Sequence, residues 1–159
     1  MSYQSAELKL RTLAAANATL AAALTFTVQG GASVFCWFDR QLAQGDLGAK
    51  ADGRCCVTVQ RVSTMPRQLQ GNQGGPVQNI SQPRFQVNVV SYNAEQARQV
   101  ARLVSNFMMS VSLLANSSNP SQNPNFLLNE RAGMLPQLQP PAYTEIQDWR
   151  VWNNEGVPA

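Results

Sequence analysis

The 159-residue sequence predicts an α+β fold: a single, mostly antiparallel sheet with a long hairpin arm, packed by an N-terminal helix and a central amphipathic helix. Residues 84–111 carry most of that prediction, because a strand pattern gives way within three residues to a helical one. Phe85, Val87 and Val89 alternate with Gln86, Asn88 and Val90, the period-two pattern of a sheet covered on one face. From Asn93 onward Ala97, Val100, Ala101, Val104, Phe107, Met108 and Val111 recur at helical spacing, so the helix should lie back across that sheet. A second alternating run at residues 54–63, with Cys55, Val57 and Val59 against Cys56, Thr58 and Gln60, supplies a strand to pair with the first.

In chain order, residues 5–24 are alanine-rich and carry Leu8, Leu13, Leu20 and Leu24, which predicts one helix with Tyr3 as its packing residue and Ser5 as its cap. Residues 26–28 can start a short strand, and Gly30-Gly31 mark a turn. The SVFCWF segment at 33–38 is either a short strand or a first helical turn, since periodicity does not separate the two at this length. Residues 41–51 read as loop or irregular edge because glycines interrupt every pattern. Between the two confident strands, residues 65–83 hold three glycines, three prolines and a run of amides, longer than a tight turn requires. This arm is either a mobile surface loop or a segment that orders on a neighbour, with Arg67 as its main charged anchor. Asn93 should cap the central helix with Gln96 as capping-box partner. A crossover at 116–141 follows, polar and proline-punctuated at 116–125, with brief packing contacts at 126–128 and 134–138. The final run, 143–152, alternates but slips around Asp148, the pattern of a bulge or of a strand with aromatic groups on both faces.

Composition bounds the function. Residues 1–159 suffice for one domain with a real core. Charged residues make up only 13%, about half the usual share, and Gln, Asn and Ser fill the polar deficit. Such a surface suits a subunit that packs against its own copies, because fewer ions are desolvated at each contact. The net charge of +3, from 12 basic and 9 acidic residues with no basic block, lacks the footprint of a sequence-specific DNA binder. No segment reaches the length of a membrane span and Glu7 replaces a basic leader, so a soluble intracellular product is expected. Cys36, Cys55 and Cys56 lie in apolar contexts and read as reduced core residues. With no histidine and no CxxC pair, neither a metal site nor a cofactor site is expected. The missing histidine also removes Ser-His and Cys-His mechanisms. Among the carboxylates only Glu145 and Asp148 are close in sequence, so no catalytic residue is assigned.

What remains is surface. Arg98 and Arg102, one turn apart on the polar side of the central helix, are either a solvated face or a partner or channel surface. Trp149 and Trp152 read as core and sheet covering, or one of them as an interface residue.

The order of elements resembles the phage tail terminator and tail-completion family, small α/β proteins that cap the finished tail tube and join it to the head-side connector. The resemblance rests on the N-terminal helix over a hairpin, on the passage PRFQVNVVSYNAEQARQVARLV at 83–104 and on the closing QDWRVWNNE at 147–155, and it spans residues 8–155. It implies a virion protein of the tail or neck, assembled in the host cytoplasm. Copies would form a ring, a hexamer, that stops tube polymerisation, binds tube protein and connector or adaptor, and passes DNA without specific contact or any role for a membrane. On that reading Arg67, Gln68, Gln70, Asn72 and Gln73 of the arm meet a neighbour or the tube, and Arg98 and Arg102 meet a neighbour or the channel. A head-completion or adaptor protein on the portal side, and a non-viral oligomeric binding module, are the alternatives.

Overall fold

The computed structural model describes residues 5–27, 31–43, 45–68, 79–113, 125–138 and 140–154, with side chains at all of these except 65–68, 79–81 and 154. Helices α1 (Ala6–Ala16), α2 (Ala18–Leu24) and α3 (Ala94–Ser110) pack on a main sheet of β3 (Trp37–Phe38), β4 (Cys55–Gln68), β5 (Asn79–Ser91), β6 (Phe126–Leu135), β7 (Ala142–Arg150) and β8 (Asn153–Asn154). A small second sheet pairs β1 (Thr25–Thr27) with β2 (Ser33–Phe35). The fold is thus α+β, and its main sheet is antiparallel except where β3 runs parallel to β4. Strand order is β3-β4-β5-β7-β6, with β8 pairing the far end of β5.

The N-terminal segment is two helices rather than one. Asn17 sits in extended backbone (φ −80°, ψ 114°), donates its N–H to Leu13 and Ala14 carbonyls, and accepts the Leu20 N–H on its side chain at 3.1 Å. One residue thereby closes α1 and caps α2, the use for which a short amide side chain is suited. The SVFCWF segment is strand, split between the two sheets: Cys36 donates its N–H to Leu24 and accepts that of Val57, both at 2.9 Å, which carries the chain from one sheet to the other.

The passage from β5 into α3 forms as its pattern requires. Asn93 Oδ1 accepts the N–H groups of Glu95 and Gln96. The capping box closes indirectly, however: the Asn93 N–H goes to Ser91 Oγ, which donates to Gln96 Oε1 at 2.6 Å. All six residues of α3 predicted to be inside, from Ala97 to Met108, are buried. Among them Val100, Val104, Phe107 and Met108 each contribute roughly 1.5–3 kcal/mol by leaving water. They meet Leu10, Leu20, Leu24, Val57, Val59, Phe85, Val87, Val89 and Trp149 in one core between helices and sheet, with Trp37 and Phe107 edge to face at 5.8 Å.

The β4–β5 ladder is longer than the two alternating runs suggest. It continues through Arg67↔Ile80 and Gln68↔Asn79, so both ends of the 65–83 arm are ladder and only 69–78 lies outside the described residues. Pro83 is accommodated because it falls in the gap between β7 and β8, where β5 owes no N–H to the ladder; its carbonyl accepts the Val151 N–H at 3.0 Å.

The crossover needs the largest correction. Residues 126–135 form a ten-residue strand, β6, at the sheet edge. Its first seven residues are exposed, so neither face imposes the apolar alternation by which a strand is read. The slip at Asp148 does mark a bulge, but the extra residue is Leu128 on the partner strand, between the pairs Leu127↔Trp149 and Asn129↔Asp148. Just ahead of β6, buried Asn125 donates to the carbonyls of Met108 and Val111 at 2.7 and 3.1 Å, satisfying acceptors that the end of α3 leaves open.

Candidate functional site

The predicted site residues fall in three places. Arg67 and Gln68 end β4, their backbones in the ladder and their side chains outside what is described. Gln70, Asn72 and Gln73 lie outside the described residues. Arg98 and Arg102 stand together on the outer face of α3, in an open groove of about 480 Å³ completed by Gln99, Ser105 and Asn106 and, across the groove, Glu130 of β6. Arg98 is 63% exposed and lies 3.4 Å from Glu95 and 3.9 Å from Glu145. With Glu95, Glu130 and Glu145 against two arginines the groove has no cationic excess, so it is not a phosphate trap.

The two tryptophans part company. Trp149 is fully buried in the main core and donates to Gln147 Oε1 at 2.9 Å, while Gln147 Nε2 reaches the Ala101 carbonyl and Ser105 Oγ. Trp149 is therefore the core member of the pair. Trp152, half-buried between β7 and β8, is the one left near the surface.

The sheet face away from the helices carries features that the sequence did not single out. One end is covered by the loop after β3, where Cys36, Leu47, Cys56, Val90, Tyr92, Leu138 and Ala142 form a second small core. Arg40 holds that loop, gripping Asp46 through two hydrogen bonds of 2.7 and 2.9 Å and stacking its guanidinium 4.4 Å from the Phe38 ring. The same pair keeps the Asp46 carboxyl below the usual carboxylate range. Gly48 permits the turn: its φ is +65°, and an added Cβ would sit 2.5 Å from Asp52 Oδ2. All three thiols are free and buried, with burial pushing Cys55 up to about 12 while the hydrogen bond with Cys56 holds Cys36 below the ordinary thiol value.

Farther along that face Asp148, 5% exposed, meets Arg131 at 3.2 Å and Arg84 at 3.5 Å. Arg150 stands directly across the ladder from Arg84. Among the described residues, the buried polar atoms without a hydrogen-bond partner include Gln82 Oε1, Arg84 Nε and Thr144 Oγ1, all belonging to this face. Strand alternation puts Asp148 here and Glu145 on the helix side beside Arg98, so the only two carboxylates close in sequence do not share a site. Buried Lys9, whose ammonium donates to Asn153 Oδ1 at 2.8 Å, was equally illegible as a core residue.

Exposed apolar groups gather on β6 and its partner strand: Phe126 (50%), Leu127 (41%), Leu128 (42%), Met134 (53%) and Tyr143 (42%). Among the described residues no helix is long and apolar enough to cross a membrane.

No protein-family model and no curated protein matches the chain. Among solved structures, the fold is similar to that of a chain from the virion of a native gene transfer agent (GTA) particle, with a TM-score of 0.53 and 14% identity over 94% of this chain and 96% of that one. At this identity the likeness is one of fold, and it runs through nearly the whole of both chains.

Proposed function

We propose that the protein is a structural component of a phage-like particle: a ring, a hexamer, that caps the tail tube, ends its polymerisation and joins the tail to the head connector or adaptor. The observation that carries this reading is the fold-wide likeness to a virion chain, which extends over 94% of the residues instead of a shared substructure. The low charge content and the exposed apolar strand β6 support a subunit built to be covered by others.

In this reading the hairpin arm, with Arg67, Gln68, Gln70, Asn72 and Gln73, reaches a neighbouring subunit or the tube. Arg98 and Arg102 face a neighbour or the channel, and Trp152 borders a contact. The balanced charge of the α3 groove supports a wall past which DNA slides without being held. The setting is the tail or neck of the virion, reached from the host cytoplasm during assembly. Negative-stain microscopy of the protein mixed with tail tubes tests the role. Rings at one tube end are expected, whereas rings that bind only connector particles mean a portal-side adaptor and no rings mean a different function. Replacing residues 68–78 by a short turn should weaken assembly at least tenfold while leaving the circular dichroism unchanged; a loss of fold would instead make the arm part of the core.

A further inference from the structure

At two unlike margins of the main sheet, β6 and the part of β4 beyond β3, no outer strand is paired among the described residues. Among the described residues β6 pairs only with β7. On the other side β3 covers only Val57 and Thr58 of β4, so among the described residues positions 59–68 of β4 have no strand partner outward. Each open stretch is ten residues long. Exposed edges of this length template further pairing unless charge, proline or distortion blunts them. Both edges here carry a bulge. In β4 the register steps over Val62, between Arg61↔Phe85 and Ser63↔Arg84; in β6 it steps over Leu128. Because Phe85 pairs with Trp149, the bulges stand at the same level of the sheet, and each presents an exposed apolar side chain, 53% for Val62 and 42% for Leu128. A bulge raises local twist, and recurring bulges are how sheets curve toward closure. An apolar residue at such a kink does not repel a partner strand as lysine would.

Strand directions fit a head-to-tail contact. β4 and β7 run one way, β5 and β6 the other, so rotation about an axis near the strand direction brings β6 of one copy antiparallel to β4 of the next. The edges are also offset along the strands. Glu130, mid-β6, is level with Val59 through Gln147 and Val87, whereas the centre of the open stretch of β4 lies about four residues farther on, roughly 13 Å. Over the four strand spacings of about 4.8 Å from one β4 to the next, this offset corresponds to a tilt of roughly 34°, near the tilt that closed sheets adopt.

The geometry points to β6 of one copy adding to the open edge of β4 of the next, so that one continuous antiparallel sheet closes the ring. Two different edges on opposite sides of each subunit make the contact heterologous, which is the kind that rotation closes. This rests on the ring reading above and names the surfaces that build it.

Hydrogen exchange on the full chain, as monomer and as ring, tests it. The outward-facing amides of 59–68, Pro66 having none, and of 126–135 should slow more than tenfold on ring formation, with α3 unchanged. Val62→Lys and Leu128→Lys, both at exposed sites, should each abolish rings with unaltered circular dichroism. Mixed together they should yield dimers but no rings, since one good edge of each kind remains. Rings in which both stretches exchange as in the monomer, or protection of 126–135 only when tubes are added, would overturn edge pairing while leaving the ring intact. A protein that forms no ring, alone or with tubes, overturns the ring reading and this inference together.

Discussion

On the helix-covered face of the main sheet, β5 and β7 present Phe85, Val87, Val89 and Trp149, all buried beneath α1, α2 and α3; on the opposite face the same strands present Arg84, Gln86, Asn88 and Asp148. The first face is held by volume: side chains interdigitate, and every methylene there is out of water. The second is held by pairing, since Asp148 is nearly as inaccessible as Trp149 but depends on two arginines that remain 42% and 47% exposed. A sheet with one face of each kind keeps its fold chiefly through the first and can leave the second to water.

The largest effect should come from truncating the apolar face. Trp149→Ala is expected to cost about 3–5 kcal/mol in urea unfolding, because the ring leaves a cavity and Gln147 loses its donor. A loss below about 1 kcal/mol would mean that this face is not what holds the sheet. On the polar face Asp148→Asn conserves volume and removes charge. We expect a smaller loss of about 1–2 kcal/mol, reduced by the solvent around both arginines, and partial recovery when Arg131→Gln is added. If the second change deepened the loss, volume would govern both faces. The smallest effect is local. The Asp46 carboxyl is more acidic folded than unfolded, so its contribution is complete above the ordinary carboxylate value of about 3.9 and fades as pH falls through the lower folded value. Below about pH 4, exchange should therefore quicken in the loop at 39–53 and not in α3, and Asp46→Asn should give the same loosening at neutral pH.

Legibility followed the same division. The 84–111 passage could be read because one of its faces is apolar throughout, and α3 buries the residues that its spacing predicts. β6 could not, because a strand exposed on both sides has no pattern to betray it. The helix break was encoded in Asn17, a capping residue type within a run of alanines, but helical spacing on either side outweighed it. Lys9, Asn125 and Asp148 were illegible in principle. A buried polar residue is recognised by its partner, and these partners lie 144, 17 and 17 residues away. As for the proposed assembly surfaces, the helical periodicity points to Arg98 and Arg102, whereas the paired bulges at Val62 and Leu128 exist only as a relation between strands.

The bond from Lys9 to Asn153 also sets a timetable. The ammonium near the start of α1 has its buried acceptor on β8, so α1 cannot finish docking on a nascent chain until residue 153 has been made. Contacts so distant in sequence are closed late. Helix α1 would therefore be the last piece of this fold to settle, and a substitution at Lys9 should slow folding more through that final step than through the strands that precede it.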